Sequence, residues 1–462
     1  MSHLRRTTRY AVLVAFALLI GTTEAAAQDA HYWTNQYGTT GNLLGGAVVG
    51  SVVDLSAVFY NPGAVGLIED PELIATSKVF EAVNVSVDGR GDLDIDLNDL
   101  TLGVAPGFFA GLVPLNALGK HTLGYSFLTR YKFDAELRAA GSGTADLVGD
   151  GLEEDYFAEL GFNSRLNESW GGVTWSYPLG RRFGIGVSTF VTIRSQRSRS
   201  RITGEAFEPT GPSGAVTLFD RGYKYNHYGI LWKGGVTYDW LGFSLGLTVT
   251  TPRIKVYGSG ESLVNRLILG QDPDGDGTPD LLFVADVQSD LSVTYKSPWS
   301  LAGGASYSIG RNTTLHGAAE WYNDVPRYEV MQAEPFVGQS TGDTLALGVT
   351  QELGAVINFG AGVEQRFTPG FSLSASFRTD NSALEPGQIT DVSVASWNIY
   401  FITVGSTFTL GGGEFTLGLA YGFGSEDPSR FVPVPPDEII EPLPDDARIR
   451  YRSMRLIIAF SF

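Results

Sequence analysis

Apolar and polar positions alternate along most of the chain with a period of two residues. In "RFGIGVSTFVTI" (182–193) the large apolar side chains fall mainly on one face, and Gly, Ser and Thr take most of the other. The same rhythm recurs in "FSLGLTVT" (243–250), "FSLSASF" (371–377) and "FTLGLAYGF" (415–423). Period two is the repeat of a β-strand. The polar face of a soluble sheet usually carries Lys and Glu, so small neutral residues there predict a crowded interior and an apolar face turned to lipid.

This pattern predicts fourteen strands, an even number. The predicted strands span 73–87, 103–114, 121–138, 168–178, 182–198, 225–239, 242–256, 297–309, 313–329, 354–367, 370–380, 396–409, 414–424 and 449–462. Tight turns such as 179–182 and 310–312 alternate with long polar stretches, which are 139–167, 199–224, 257–296 and 425–448. Short turns at one end and long loops at the other are typical of a bacterial outer-membrane β-barrel. Closure pairs every backbone group, so such a barrel spans a bilayer without long apolar runs.

The final predicted strand and the aromatic residues fit this picture. One face of that strand carries Met454, Leu456, Ile458, Phe460 and Phe462. We expect this face to contact lipid while the strand closes the barrel against the first. Phe462 resembles the terminal signal read by the outer-membrane assembly machinery, which is therefore an expected partner. An edge strand of a β-sandwich is the alternative. An interfacial aromatic girdle is predicted from Trp170, Trp175, Tyr177, Tyr238, Trp240, Trp299 and Trp397.

The beginning of the chain reads as a secretory signal, and the remainder is acidic. Arg5, Arg6 and Arg9 precede the apolar stretch "YAVLVAFALLI", which leads to small residues and a predicted cut after Ala27. Residues 1–27 are therefore predicted to be removed. The formal net charge of −18 argues against nucleic acid as a partner, since that would require a basic surface. The absence of cysteine excludes disulfides and thiolate chemistry.

Residues 28–72 do not alternate, and we predict that they form a hatch inside a barrel wall of residues 73–462. The run "GGAVVGSVVDLSAVFYNPGAVGLIED" (45–70) mixes short apolar pieces with glycines. Pro62 lacks a backbone donor and biases Asn61 away from the helical region, so the run must bend there. The piece is too short to be a domain, and so many apolar residues fit a loose periplasmic tail poorly. The lumen is therefore its predicted place.

The stretch "DLSAVFYNPGAVGL" (54–67) resembles the hatch motif of the FadL/TodX family of outer-membrane transporters for long-chain fatty acids and other hydrophobic compounds. The resemblance implies an N-terminal hatch and a fourteen-stranded barrel, in agreement with the independent strand count. Residues 295–324 and 357–378 resemble the later hairpins of that family. One detail differs, because the family usually has Ala and then Gly after Asn-Pro, whereas Gly63 here precedes Ala64.

The resemblance also implies roles for individual residues. Asn61, Pro62 and Gly63 would serve as gate residues near a kinked strand whose gap opens sideways into the membrane. Phe59 and Tyr60 would provide the apolar lining of the ligand passage. We therefore expect a monomeric passive channel for hydrophobic small molecules that requires no cofactor. A structural or secretion-associated barrel that acts as a docking platform is the alternative.

The loop 257–296 contains the sharpest chemical motif, "QDPDGDGTPD" (271–280). Its aspartates occupy the positions of ligands 1, 3, 5 and 9 of an EF-hand-like calcium loop, and they are Asp272, Asp274, Asp276 and Asp280. Gly277 stands where such a loop turns sharply. Phe283 replaces the bidentate Glu, so a calcium site and a merely acidic loop tip both stay open.

Arg197, Arg199 and Arg201 continue the lipid-facing side of their strand beyond Ile193. They would stand at headgroup level, where lipopolysaccharide phosphates are suitable partners. These three residues are called the arginine comb below. The alternative is that they belong to a solvated extension of the strand.

Two further sets of polar residues are candidates for a chemical role. The side chains of Glu320, Glu364, Arg366 and Arg378 are expected to point into the lumen and to form cross-strand ion pairs. The stretch "GQSTG" (338–342) matches the G-x-S-x-G pattern of hydrolases, but it lies in a predicted loop and has no histidine near it in sequence. The match is therefore interpreted as chance, and no enzyme activity is expected.

Overall fold

The structure is a computed structural model that describes most of the chain after the predicted signal peptide. The described residues are 30–51, 54–68, 73–88, 97–103, 107–113, 119–145, 148, 151–208, 214–271, 280–346, 348–385, 390–393, 396–410, 413–426 and 448–461. The predicted signal peptide, Phe462, and Asp272, Asp274 and Asp276 lie outside them. The predictions made on those residues stay predictions.

The described part of the chain consists almost entirely of strands. Its helices are α1 (Thr39–Leu43), α2 (Ala57–Tyr60) and α3 (Pro62–Val65). Its strands are β1 (Ile74–Asp88), β2 (Leu97–Gly103), β3 (Phe108–Val113), β4 (Thr122–Ala145), β5 (Glu154–Pro178), β6 (Phe183–Phe207), β7 (Gly214–Trp240), β8 (Phe243–Thr250), β9 (Ile254–Gln271), β10 (Asp280–Ser292), β11 (Ser300–Ile309), β12 (Thr313–Tyr322), β13 (Val325–Met331), β14 (Phe336–Val337), β15 (Thr344–Leu345), β16 (Val349–Leu353), β17 (Val356–Thr368), β18 (Phe371–Asp380), β19 (Ile399–Leu410), β20 (Gly413–Glu426) and β21 (Arg448–Ser461).

Antiparallel pairing closes these strands into a barrel of fourteen. Strands β2 and β3 together form the second wall strand, because both pair with β1. The ring then continues through β4, β5, β6, β7, β8, β11, β12, β17, β18, β19, β20 and β21. It closes where β21 pairs with β1, from Ile74 opposite Ser461 to Asp88 opposite Arg448. The predicted strand count and the predicted closing role of the last strand are confirmed.

The two faces of the wall have the expected chemistry. On β6, Val191 and Ile193 are exposed on the outside, whereas Ser188 and Thr192 are fully buried on the inside. On β21, Met454 is exposed and Arg455 is buried. An apolar outer face on a closed barrel is the arrangement that spans a bilayer. Among the described residues, no helix has the length and apolar character needed to cross a membrane.

Three of the four long polar stretches are largely strands where the structure describes them, and nearly all of the fourth, 425–448, lies outside the described residues. β4 runs to Ala145 and β5 begins at Glu154, so the predicted loop 139–167 is largely a hairpin. The hairpins β6–β7 and β9–β10 occupy the predicted loops 199–224 and 257–296 in the same way. The alternation of apolar with small residues stops where the apolar band ends, although the backbone ladder continues. The strand extensions were missed for this reason.

Two members of the predicted aromatic girdle are inside the protein. Trp170 and Trp397 are buried. Trp170 is on the face of β5 that points into the barrel, and Trp397 lies in the segment before β19. Their assignment to the interface was wrong. Trp175, Tyr238 and the other exposed members do lie on the outside, near the ends of their strands.

The asymmetry of the connections predicts which end faces outward. In intact cells that express the protein, a glutamyl endopeptidase should cut at Glu153, which is exposed at the tip of the β4–β5 hairpin. Trypsin should not cut at Arg181 or Arg182, which lie in the short turn at the opposite end. Mass spectrometry of the released fragments identifies the cleavage sites. Lysed cells, in which both ends of the barrel are accessible to protease, are the control. Cleavage at the short turn alone would invert the topology.

Candidate functional site

Residues 30–51 and 54–68, here called the inner segment, lie against the inward face of the wall. Helix α1 contacts strands β18 to β21, α2 contacts β4, and α3 contacts β5, β6 and β7. Almost all described side chains of the inner segment are buried. These contacts place the segment within the ring of strands. The boundaries of the predicted hatch, at 28 and 72, lie outside the described residues.

The Asn-Pro-Gly turn anchors the inner segment to the wall. Asn61 has extended backbone angles, as its position before Pro62 requires, and Pro62 opens α3. The Asn61 side-chain oxygen accepts the backbone N–H of Gly63 at 3.1 Å and so caps α3. The Asn61 amide donates to the carbonyl oxygens of Val49, at 2.9 Å, and of Val236 in β7, at 3.0 Å. One side chain thus joins the turn, the inner segment and the wall.

The wall opposite this turn has no room for side chains. A Cβ atom added at Gly235 would collide with the Asn61 side-chain oxygen. A Cβ atom added at Gly63 would lie 2.7 Å from the Gly235 carbonyl oxygen and 2.8 Å from that of Gly184, closer than real Cβ atoms approach. The same close approach to the inner segment recurs at Gly186, Gly246 and Gly304. The glycines of the alternating pattern therefore admit backbone against backbone.

Polar side chains of the wall hold the beginning of the inner segment. Arg378 donates to the carbonyl oxygens of Trp33, at 3.1 Å, and of Thr34, at 3.0 Å. Arg455 donates to the Thr34 carbonyl oxygen as well. Asp380 accepts the backbone N–H of Trp33 at 2.8 Å and the Thr34 hydroxyl. Strands β18 and β21 thus satisfy backbone groups that have no ladder of their own.

The predicted cross-strand ion pairs among lumen residues were wrong. Glu320 accepts a hydrogen bond from the Trp33 indole at 2.9 Å, and Arg378 donates to backbone carbonyls. Glu364 and Arg366 are on one strand, 3.7 Å apart, with Arg366 largely exposed. The prediction considered only wall strands as partners, and the inner segment supplies the missing ones.

Phe59 and Tyr60 form the aromatic side of the inner segment. The Phe59 ring packs edge-on against Tyr37 with centroids 4.8 Å apart, and it lies 6.1 Å from Trp170 of β5. The Tyr60 hydroxyl donates to the Gln36 side chain at 2.8 Å. These contacts leave one face of Phe59 directed toward a cavity.

That cavity lies between the inner segment and the wall. Its volume, counted as the space open to the centre of a water molecule, is about 70 Å³. Phe59 and Tyr60 line it together with the aromatic side chains of Trp33, Trp170 and Tyr295, and their role in a ligand passage stays a prediction. Five charged residues also line it, namely Arg130, Glu168, Lys233, Arg253 and Glu320. Asn61, Pro62 and Gly63 contact the wall, and their predicted role as gate residues stays a prediction.

Glu168 is neutralised inside the barrel by two arginines. Its carboxylate accepts hydrogen bonds from Arg194 at 3.0 Å and from the Trp170 indole N–H at 2.7 Å. It also accepts a short hydrogen bond from Arg253. The guanidinium groups of Arg194 and Arg253 lie 3.9 and 4.9 Å from the Tyr295 ring centroid. A buried carboxylate requires such partners, since desolvation without them would be costly. Two arginines against one carboxylate leave this network with one net positive charge beside the cavity.

Lys233 differs, because its charge has no hydrogen-bonded partner within the described chain. Its Nζ atom lies 4.8 Å from the Phe59 ring centroid. Arg130 lies 5.7 Å from the same ring and 5.5 Å from that of Trp170, and it donates to the Tyr32 carbonyl oxygen at 2.7 Å. Cations over aromatic faces are stabilised by the ring quadrupole. Two cations thus flank the ring that faces the cavity.

The cavity cations were missed by the sequence reading, although one signal was present. Lys233 lies between Trp232 and Gly234, so alternation places it on the inward face among small residues. Arg130 sits at a β-bulge, which lets both Arg130 and Tyr131 face inward. Arg253 lies between two strands, where no alternation marks it. A charged residue on the face that otherwise carries small residues could therefore have indicated a cation inside the barrel.

The arginine comb lies where it was predicted, on the outside of β6. Arg197, Arg199 and Arg201 are all exposed on the same face as Ile193. Asp220 of β7 accepts both Nε and Nη2 of Arg199, and this hydrogen bonding raises the pKa of Arg199. Binding of lipopolysaccharide by the comb stays a prediction at this point.

The segment 338–342, which matches the G-x-S-x-G pattern, hydrogen-bonds to the backbone of strand β10. Ser340 accepts the backbone N–H of Phe283 in β10 through its hydroxyl at 2.7 Å. The side-chain oxygen of Gln339 accepts the backbone N–H of Ala285 at 2.9 Å, and the side-chain nitrogen of Gln339 donates to the Ala285 carbonyl oxygen at 2.7 Å. The motif thus pairs with β10 and forms no strand-to-helix elbow.

The calcium motif lies almost wholly outside the described residues, and calcium binding by it stays a prediction. No group of three or more His, Asp or Glu residues placed to hold a metal is present among the residues that the structure describes. Asp280 begins β10, and its three companions precede the described part of that strand.

Comparison with solved structures identifies the fold. No protein-family model and no curated protein matches the chain. The Pseudomonas putida toluene transporter TodX matches with a TM-score of 0.56 and 12% identity, covering 92% of this chain and 98% of that one. The Ralstonia pickettii toluene transporter TbuX matches with a TM-score of 0.53 and 14% identity, over 92% and 98%. A Pseudomonas aeruginosa FadL homologue matches with a TM-score of 0.54 and 12% identity, over 93% and 98%. The expected FadL/TodX-type fold is confirmed.

The glycine contacts predict an effect that depends on the side of the wall. Gly235→Val should loosen the inner segment, because the new side chain would occupy the space of Asn61. Overpacking of this kind costs about 1–3 kcal/mol. Hydrogen exchange of residues 57–66 should therefore be roughly ten- to a hundredfold faster. Gly234→Val is the matched control, since the neighbouring position has open space on the outside. Equal exchange in both variants would contradict the backbone-to-backbone contact.

Proposed function

We propose that the protein is an outer-membrane passive channel for hydrophobic small molecules, of the FadL/TodX type. Its fold, which it shares with toluene transporters, and its apolar outer face support this reading. The observation that carries it is the cavity between the wall and Phe59 and Tyr60 of the inner segment. A concave, aromatic-lined space with a few converging polar groups is typical of a small-molecule site.

A chain of packed aromatic rings runs from this cavity toward the start of β3. Phe59 contacts Tyr37, whose ring lies 5.6 Å from that of Phe108 at the start of β3. The described pairing of β1 with β2 and β3 skips residues 77–80 of β1. A ligand that leaves beside this point would enter the bilayer sideways. The arrangement supports the lateral exit that the hatch motif implies.

The cations narrow the substrate class to amphiphiles with an anionic head. Glu168 is already paired with two arginines, whereas Lys233 forms no direct ion pair among the described residues and only feels the more distant charge of Glu320. A ligand carboxylate would pair with Lys233 and Arg130, and an apolar chain would lie along Phe59. Toluene, the compound named for TodX and TbuX, requires no cation. We therefore expect long-chain fatty acids to be better substrates than neutral arenes.

Uptake measurements on single variants test this function. In cells that lack their own transporter, Lys233→Met should lower uptake of labelled oleate about tenfold, as expected for the loss of one charge-assisted contact. Uptake of labelled toluene should be unchanged by this substitution. Phe59→Ala should lower both, because both ligands would contact the ring.

Lys120→Met is the matched control for that experiment, since Lys120 is exposed in a short turn. Heat-modified migration on a denaturing gel confirms that each variant is a folded barrel. Unchanged uptake of both ligands in the Lys233 and Phe59 variants would sink the channel proposal. The docking-platform alternative would then be favoured.

Removal of the inner segment predicts a separate result. Deletion of residues 28–66 should leave a folded barrel, since no wall strand is lost. The lumen would then be open, so small sugars should swell proteoliposomes that contain the variant faster than those with the full chain. Selective uptake of hydrophobic ligands should disappear. An unchanged swelling rate would show that the inner segment does not close the lumen.

A further inference from the structure

The outer surface of β5, β6 and β7 carries a row of cations just beyond the apolar band. Arg165 lies directly opposite Arg197, and Arg197 lies directly opposite Lys224. All three are exposed on the outside of the barrel. Arg197 is four residues beyond Ile193. Strand rise and tilt then place the row about 10 Å above the last apolar position, at the level of lipid headgroups.

The row is incompletely neutralised by the protein. Arg165 pairs with Asp134 at 2.7 Å, and Lys224 lies 3.8 Å from Glu261. The central Arg197 has no ion pair within the described ranges, although the chain as a whole has a net charge of −18. Like charges on directly opposite positions destabilise a sheet. An anion from outside the chain would remove this cost.

The comb extends this row along β6. Arg199 is bound to Asp220, and Arg201, which lies directly opposite Asp220 in the register, forms no ion pair of its own among the residues described. Arg197 and Arg201 are four residues apart and point the same way, so their planar donor groups are about 13 Å apart along the strand. Guanidinium groups bind phosphate oxygens bidentately, which suits a ligand with more than one phosphate.

We propose that Arg197 and Arg201, with Arg165 and Lys224 beside them, bind the phosphate groups of lipopolysaccharide in the outer leaflet. The height of the row favours a lipid headgroup over a soluble partner, because the apolar band below it would hold the acyl chains. The outward direction of these side chains separates the site from the cavity. The inference rests on the membrane location and not on transport, so the two proposals fail independently.

Lipid titration of the purified full chain tests the site. The protein is placed in nanodiscs of phosphatidylcholine that contain diphosphoryl lipid A, and bound lipid A is measured by native mass spectrometry. Arg197→Gln/Arg201→Gln should weaken retention roughly ten- to thirtyfold, from the attraction of two surface cations to anionic lipid. Lys120→Gln/Arg311→Gln removes two exposed cations at the opposite end and should leave retention unchanged. Oleate uptake should be the same in all of these proteins.

Three further titrations distinguish the source of the anion. Dephosphorylated lipid A and phosphatidylglycerol should each be retained less than diphosphoryl lipid A by the unmodified protein. Inorganic phosphate should not displace lipid A at matched concentration. Equal retention of diphosphoryl lipid A by the Arg197/Arg201 variant would overturn the proposal. Equal retention of phosphatidylglycerol or of the dephosphorylated lipid, or displacement by free phosphate, would overturn it too.

Discussion

Direct contact between the backbone of the inner segment and the glycines of the wall is the constraint on which the arrangement inside the barrel depends. Gly63 approaches the carbonyl oxygens of Gly184 and Gly235 so closely that neither side could carry a side chain. The turn can therefore be seated on β5, β6 and β7 only if the wall is bare there. Asn61 completes the contact by bonding the wall carbonyl of Val236. Packing at this density leaves the turn few alternative positions.

The seating of the turn determines where the chemistry of the lumen lies. With one side of the inner segment against glycines, Phe59 is presented to the other side, beneath Lys233 and Arg130. Charges are costly in this poorly solvated interior unless they are paired. Glu168 and its arginines meet that requirement within the protein, whereas Lys233 is held over an aromatic ring. The difference separates a structural network from a group available to a ligand.

Much of the architecture followed from local pattern. Side chains on a strand alternate between two faces, and lipid outside with a filled lumen inside imposes different chemistry on each face. The alternation of Val191 and Ile193 with Ser188 and Thr192 therefore predicted a lipid-facing wall, and the recurrence of such segments along the chain predicted fourteen strands. Where lipid ends, that contrast ends as well, so the outer halves of the hairpins were predicted as loops.

The sequence by itself determined the barrel, its count of strands and the bend at Asn61-Pro62, because strand alternation and the constraints of proline are local properties of the chain. Only the tertiary structure decided the partners inside the lumen. Trp33 meets Glu320 across 287 residues of sequence. Lys233 meets Phe59 from a distant strand. Such contacts depend on how the inner segment is seated in the closed ring, and no periodicity along the chain records that position.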